Sequence, residues 1–120
     1  MKKILIVDDE KDILLTLGKR LESEGYTVIT ADNGSDAIVL ARSKLPDIIL
    51  LDVLMPGIDG GKIAEKLKDN LETKNIPVIF LTALLSKTEE CQYNHTIGGH
   101  ITFAKPVDTG ELLTQIKKLL

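Results

Sequence analysis

The chain has 120 residues, of which 43% are hydrophobic, 28% charged and 3% aromatic, and its formal net charge is −3. This length suits one domain with a single aliphatic core, and the composition excludes a disordered chain. Binding to nucleic acid requires clustered basic residues, whereas Lys and Arg are dispersed among acids here, so we expect no direct nucleic-acid partner.

The first half of the chain alternates between strand and helix patterns. Consecutive aliphatic residues predict each strand, and apolar residues three and four positions apart predict each helix. A glycine ends the first helix, and a proline follows the second. In chain order, the elements are a strand at 3–8, a helix ending at Gly25, a strand at 26–30 and a helix between Asn33 and Pro46.

The second half continues the alternation. Its first strand is an unbroken aliphatic run that ends in Asp52, as is typical of a strand buried on both faces of a parallel sheet. The helix predicted at 86–96 contains many modest helix formers, so we expect it to be short. In chain order, the elements are a strand at 48–52, a helix around Ile63–Leu67, a strand at 77–82, a helix at 86–96, a strand at 101–104 and a last helix at 112–120.

Strict alternation of strands and helices with short connections predicts a parallel sheet that has helices on both faces, which is a doubly wound α/β fold. In a sheet of order 2-1-3-4-5, strands 1 and 3 are neighbours about 4.8 Å apart, and the junction between them is where such folds bind ligands. Because no linker, repeat or low-complexity tract divides the chain, we expect residues 1–120 to form one domain.

The cysteine content and the apolar runs bear on location. Cys91 is the only cysteine and cannot form an internal disulfide, which is typical of a reducing compartment. The apolar run near the N-terminus is too short for a signal peptide, and no run approaches the roughly 18 apolar residues of a membrane span. We therefore expect a cytoplasmic protein with no membrane partner. His95 and His100 are interpreted as solvated loop residues, not as ligands of a soft metal.

Acids, a hydroxyl and an ammonium follow or end four of the five predicted strands. Since the carboxyl ends of parallel strands meet at one edge of a sheet, we expect these side chains to converge. Two carboxylates about 4 Å apart repel by roughly 4 kcal/mol at an effective dielectric constant near 20, so the group requires a cation. Mg²⁺ suits such oxygen ligands. The residues are Asp8, Asp9, Asp52, Thr82 and Lys105.

A carboxylate, a divalent cation, an ammonium and a hydroxyl in one place are suited to a phosphoryl group. Asp52 is the candidate nucleophile and would form an acyl phosphate, while Mg²⁺ and Lys105 would neutralise the transferring oxygens. The Thr82 hydroxyl would donate a hydrogen bond to one phosphoryl oxygen. Each residue also has a structural explanation, such as a helix cap for Asp9, and their joint position at strand ends favours the functional interpretation.

Four short motifs contain these residues: Ile6-Val7-Asp8-Asp9, Asp52 with Met55-Pro56-Gly57 and Asp59-Gly60, Thr82-Ala83, and Lys105-Pro106. In these motifs the chain resembles the receiver domain of two-component response regulators, and the resemblance covers essentially all of its residues. This resemblance implies a flavodoxin-like fold with strand order 2-1-3-4-5, and a signalling domain that is not an enzyme. It also implies that Asp52 accepts a phosphoryl group from a phosphohistidine of a sensor histidine kinase or a histidine phosphotransfer protein.

The same resemblance implies roles for the other site residues. Asp9 and Asp52 would hold Mg²⁺ together with the backbone carbonyl of Leu54, and Asp8 would act mainly through water. Lys105 would pair with Asp52 or with its phosphate. The output would be a shift in the face made by the fourth predicted helix, the fifth predicted strand and the last helix. We expect a monomer or a weak phosphorylation-dependent dimer that acts on an output partner the sequence does not name.

One position departs from the family pattern. The aromatic residue that takes part in switching lies three positions before the lysine in the family, and this chain has Thr102 there. Phe103 is adjacent, but successive side chains of a strand point to opposite faces, so we expect Phe103 to face the sheet core. The usual coupling between the hydroxyl and an aromatic ring is therefore open, and Thr102 or the fourth predicted helix is the candidate for carrying the signal.

Three other functions are weighed against the phosphoryl acceptor. The first is a binding module of receiver shape that is never phosphorylated, which Thr102 leaves open. The second is a haloacid-dehalogenase-like phosphohydrolase, which requires a general acid two residues after the nucleophile, where Leu54 lies. The third is a dinucleotide-binding domain, which requires a glycine-rich turn after the first strand, where the chain has Asp8 and Asp9.

Overall fold

A computed structural model of the protein describes residues 2–53, 60–82, 96–97, 100–105 and 107–120. Up to residue 82, the described strands and helices alternate as the sequence predicts. In chain order, these elements are β1 (Lys3–Val7), α1 (Lys11–Ser23), β2 (Thr27–Ala31), α2 (Gly34–Lys44), β3 (Ile48–Asp52), α3 (Gly60–Lys68), β4 (Val78–Thr82), β5 (Thr96–Ile97), β6 (His100–Ala104) and α4 (Thr109–Leu119).

The strands form one sheet in the order β2-β1-β3-β4-β6-β5. Each of the first four pairings in this order is parallel, so the predicted five-stranded parallel sheet of order 2-1-3-4-5 is confirmed, with β6 as its fifth strand. The two-residue β5 pairs antiparallel with β6 at the edge. The prediction that the helix at 86–96 extends to Thr96 is wrong, because β-branched Thr96 and Ile97 pair with β6 instead. Residues 86–95 lie outside the described part.

Two apolar layers cover the sheet, one on each face. The first layer, on the face of α1 and α4, includes Leu21, Leu50, Phe103 and Leu112. The second layer, on the face of α2 and α3, includes alternate strand residues such as Leu51. All five residues of β3 are buried, as expected for a central strand covered on both faces. Among the described helices, none is both long and apolar enough to span a bilayer.

The helix ends follow from particular residues. The Asn33 side chain accepts a hydrogen bond from the Asp36 amide at 2.8 Å and caps α2. Gly25 follows α1 with a φ of 96°, a left-handed conformation that glycine adopts without steric cost. Leu45 ends α2 in the left-handed conformation as well, with a φ of 46°. This is an uncommon conformation for a residue with a branched side chain.

The register of the sheet determines where the site lies. Val7 of β1 pairs with Leu51 of β3, so Asp8 and Asp52 are the next residues of adjacent strands. Thr82 of β4 pairs with Ala104 of β6, and the Lys105 amide donates to the Thr82 carbonyl at 2.9 Å. The carboxyl ends of these four strands therefore lie side by side at one edge of the sheet.

Candidate functional site

The site is built on the ends of β1, β3, β4 and β6. Three of its side chains are buried: Asp8 is 0% exposed, Asp52 3% and Thr82 6%. Buried carboxylates are costly unless they are paired and hydrogen bonded. The Asp8 carboxylate satisfies this requirement partly through the Glu10 amide, which donates to its Oδ1 at 3.0 Å.

The Lys105 ammonium is the cation that joins these acids. Its Nζ lies 2.7 Å from Asp8 Oδ2 and 3.4 Å from Asp52 Oδ2. One ammonium therefore contacts an oxygen of each of the two carboxylates. Glu10 Oε1 lies 3.6 Å from the same Nζ. The side chain of Lys105 is 11% exposed, so these contacts form in a partly desolvated place.

These acids change the acidity of Lys105. Burial of the ammonium is the largest single effect and lowers its pKa, because it disfavours the charged form. The hydrogen bond to Asp8 and the negative charge of Asp8 raise the pKa. The charges of Asp52 and Glu10 raise it by smaller amounts, and these effects together outweigh burial. The pKa of Lys105 is raised above its ordinary value of 10.5, so this side chain is a firm positive charge at neutral pH.

Three carboxylates beside the ammonium could hold a metal ion. Asp8, Asp9 and Glu10 each offer an oxygen, and these oxygens lie within 4.8 Å of one another. Asp8 is buried, whereas Asp9 and Glu10 are exposed. Hard divalent cations such as Mg²⁺ take carboxylate oxygens and keep several waters, so this donor set fits such an ion. The exposed side of the group would give such an ion and its waters access to solvent.

Strand alternation divides the site between the two faces of the sheet. Asp8 and Asp52 each lie two residues after a residue of the first layer, and so does Lys105. Thr82 lies two residues after Phe80, which belongs to the second layer. The three charged side chains thus belong to the face of α1 and α4, and the Thr82 hydroxyl belongs to the face of α2 and α3.

The structure brings most of the predicted site residues together. Asp8, Asp52 and Lys105 are in contact through the ammonium, and Asp9 lies beside Asp8 in the acid group. Thr82 ends the neighbouring strand. Several residues used in the sequence argument lie outside the described part of the chain. They are Leu54, the run 55–59, Ala83, Cys91, His95 and Pro106.

The two residues at the family's switching position take opposite faces. Phe103 is 1% exposed and packs in the first layer, which confirms the prediction that it faces the sheet core. Thr102 is 7% exposed and pairs with Phe80 of β4. It therefore lies on the same face as Phe80, under the second layer.

Glu10 is the site residue that the sequence argument did not single out. It lies in the acid group and within ion-pair distance of Lys105. Its position directly after Asp8 and Asp9 was a signal, because it falls where a first helix must be capped and glutamate is a poor capping residue there.

Comparisons with known proteins place these residues in context. Residues 4–117 match the family described as the response regulator receiver domain. The chain is 38% identical over 120 residues to protein PilH of Pseudomonas aeruginosa, and the alignment covers 100% of this chain and 98% of PilH. It is 40% identical over 117 residues to response regulator PleD of Caulobacter vibrioides, covering 98% of this chain and 26% of PleD.

A solved structure gives the same result for the fold. The chemotaxis protein CheY4 of Vibrio cholerae superposes with a TM-score of 0.84 and is 28% identical, with 100% of this chain and 99% of that chain covered. Similar proteins therefore include one of about the same length and a response regulator in which the matching part is about a quarter of the whole.

Proposed function

Because this chain belongs to the response regulator receiver domain family, we propose that it signals through phosphorylation of Asp52 by a partner phosphohistidine. The observation that supports this proposal is the Lys105 ammonium between the buried carboxylates of Asp8 and Asp52. A carboxylate held beside a fixed cation at the end of a central strand has the arrangement that phosphoryl transfer requires.

The proposed step is a transfer between two side chains. An oxygen of the Asp52 carboxylate attacks phosphorus, an O–P bond forms, and the N–P bond of the partner's phosphohistidine breaks. The electron pair of that bond stays on the imidazole, and the product on this chain is an acyl phosphate. Asp52 is suited to this step because its carboxylate lies at the end of a strand whose five residues are all buried, and such a strand fixes its direction.

Lys105 and Thr82 act on the phosphoryl oxygens in this proposal. The Lys105 ammonium lies 3.4 Å from Asp52 Oδ2. After only a small shift, it would contact an oxygen of a phosphoryl group carried by that carboxylate. Charge-assisted hydrogen bonds of this kind are about twice as strong as neutral ones. The Thr82 hydroxyl, from the opposite face of the sheet, would donate to a second oxygen.

Receiver domains bind Mg²⁺ at an acidic pocket, and we assign that role here to Asp8, Asp9 and Asp52 with the backbone carbonyl of Leu54. When bound, Mg²⁺ would neutralise charge on the transferring phosphoryl oxygens. The chain's own acids contribute by supplying negative charge that attracts the cation. Their mutual repulsion is reduced by Lys105, which contacts Asp8 and Asp52.

The partners follow from this chemistry. Receiver domains interact with histidine kinases or phosphotransfer proteins and with output domains. For this chain, we propose a sensor kinase or phosphotransfer protein as the donor and a separate or attached output partner. The described face next to β6 and α4 is the candidate output surface, and phosphate on Asp52 shifts the population between two of its conformations.

Coupling from Asp52 to that surface does not use the Phe103 ring. Phe103 is 1% exposed and packs in the first layer, so moving its ring would open a gap in a closely packed core. We therefore assign the coupling to the other face, where Thr82 and Thr102 lie.

The test is phosphorylation in the absence of a kinase. The protein is incubated with Mg²⁺ and acetyl phosphate, and intact-protein mass spectrometry measures the addition of one phosphoryl group. We expect labelling of the parent protein, no labelling of Asp52→Asn, and normal labelling of Asp69→Asn, a matched exposed aspartate after α3. Omission of Mg²⁺ should strongly reduce labelling.

The alternative function, a binding module that is never phosphorylated, gives a different result. In that case, neither acetyl phosphate nor beryllofluoride with Mg²⁺ would change the mass or the amide NMR spectrum of the parent protein. Equal labelling of Asp52→Asn and the parent would also contradict the proposal.

A further inference from the structure

Glu10 occupies the N-cap position of α1, and its side chain does not cap the helix. Ser, Thr, Asp and Asn are the residues that cap well, because their short side chains reach the first-turn amides. Within the continuous described segment 2–53, the Glu10 side chain accepts no hydrogen bond from these amides. The two other described helices that have a polar cap use it, since Asn33 caps α2 and Asp108 caps α4.

The Glu10 carboxylate lies with the acids of the site instead. One of its oxygens lies within 4.8 Å of an oxygen of both Asp8 and Asp9, and Oε1 lies 3.6 Å from the Lys105 ammonium. The Glu10 amide donates to Asp8 Oδ1, so the backbone of this residue also fixes the orientation of Asp8. The side chain is 61% exposed, which leaves it free to meet a hydrated cation.

We propose that Glu10 serves the divalent-cation site as a further carboxylate, in addition to Asp8, Asp9 and Asp52, at the expense of the N-cap of α1. This inference rests on the proposed function, because that function requires Mg²⁺ at these acids. Glu10 acts on the cation directly or through one of its waters, and in both cases its negative charge strengthens binding. A glutamate at a position that favours short capping residues is explained by this role.

The first experiment measures Mg²⁺ affinity without any phosphoryl donor. The protein is titrated with MgCl₂ and followed by amide NMR signals, since the chain has no tryptophan for fluorescence. We expect Glu10→Gln to bind Mg²⁺ about tenfold more weakly than the parent, as is typical when a residue that supports a metal site is lost. Glu22→Gln is the matched control, because Glu22 is an exposed glutamate further along α1 and its loss changes the net charge equally. It should bind within twofold of the parent.

The second experiment separates this role from a structural one. Glu10→Ser introduces a good cap, so in EDTA its midpoint of thermal unfolding should lie about 3 °C above that of Glu10→Gln. Its Mg²⁺ affinity should nevertheless be as weak as that of Glu10→Gln. A variant that becomes more stable and binds the metal less well is not expected if Glu10 only supports the helix.

The outcomes distinguish this inference from the proposed function. If the parent binds Mg²⁺ and is labelled at Asp52, but Glu10→Gln binds Mg²⁺ as tightly as Glu22→Gln, the role of Glu10 is refuted and the proposed function stands. If the parent binds Mg²⁺ with the expected dependence on Glu10 but is not labelled, the proposed function fails and the role of Glu10 stands. If the parent does not bind Mg²⁺, both are refuted.

Discussion

Replacing Lys105 with methionine should destabilise the metal-free protein more than the loss of a surface lysine does. Asp8 and Asp52 are 0% and 3% exposed, and Lys105 contacts both of them. Methionine keeps much of the length of the side chain and removes the ammonium. The variant therefore leaves two buried carboxylates without this cation, while the apolar contacts of the lysine stem are largely preserved.

The size of the effect follows from the distances. At an effective dielectric constant near 20, an ammonium at 2.7 Å and 3.4 Å from two carboxylates is attracted by roughly 6 and 5 kcal/mol. Desolvation of all three charges cancels much of this attraction, and removing one partner of a buried pair typically costs about 3–5 kcal/mol. Because the Lys105 side chain is 11% exposed, we expect a value at the lower end, about 3 kcal/mol.

Urea unfolding in EDTA near neutral pH, followed by far-UV circular dichroism, measures this difference. Lys117→Met is the control, since Lys117 is exposed on α4, and it should stay within about 0.5 kcal/mol of the parent. Adding Asp8→Asn to Lys105→Met should restore at least roughly 1 kcal/mol, because it removes the buried charge that lay closest to the lost ammonium. A Lys105→Met protein as stable as Lys117→Met, or a double variant whose loss equals the sum of the single losses, would refute the reasoning.

Two further predictions concern the pH dependence and a strained helix end. Because folding raises the pKa of Lys105 above 10.5, its stabilising contribution is complete below about pH 10.5 and is lost as the pH rises through the higher folded-state value. Urea unfolding at a series of alkaline pH values should therefore show a steeper loss of stability for the parent than for Lys105→Met, and parallel profiles would contradict this. Leu45 is 51% exposed and has a φ of 46°, so Leu45→Gly should raise the unfolding free energy by about 0.5–1 kcal/mol. Leu45→Ala keeps a Cβ atom in the left-handed conformation and is the control for the loss of the rest of the side chain. A Gly variant no more stable than the Ala variant would show that this conformation costs no free energy.

The sequence predicted most of the fold because its strands and helices have strong local patterns. The central strand is recognisable because four consecutive aliphatic residues precede Asp52. The order of the neighbouring strands follows from the alternation of strands and helices along the chain. Details that depend on tertiary contacts were not predictable. The second strand starts at Thr27 and not at Tyr26, because the Tyr26 amide donates to the Leu21 carbonyl and so still belongs to the end of α1. The two-residue β5 exists through its pairing with β6, and a run this short has no pattern of its own.

The convergence of Asp8, Asp52 and Lys105 was predictable from the sequence, whereas their individual contacts and the position of Glu10 beside them were not. Asp8, Asp52 and Lys105 each lie two residues beyond a first-layer residue, so strand alternation alone places their side chains on one face. The ammonium lies 2.7 Å from the Asp8 carboxylate and 3.4 Å from that of Asp52, and no sequence pattern encodes a difference of this size. Asp8 uses both of its carboxylate oxygens, since Oδ1 accepts from the Glu10 amide and Oδ2 lies 2.7 Å from the ammonium. Asp52 has the longer of the two contacts to Lys105. Under the proposed function, this longer contact is the one that Lys105 would exchange for a contact to the phosphoryl group.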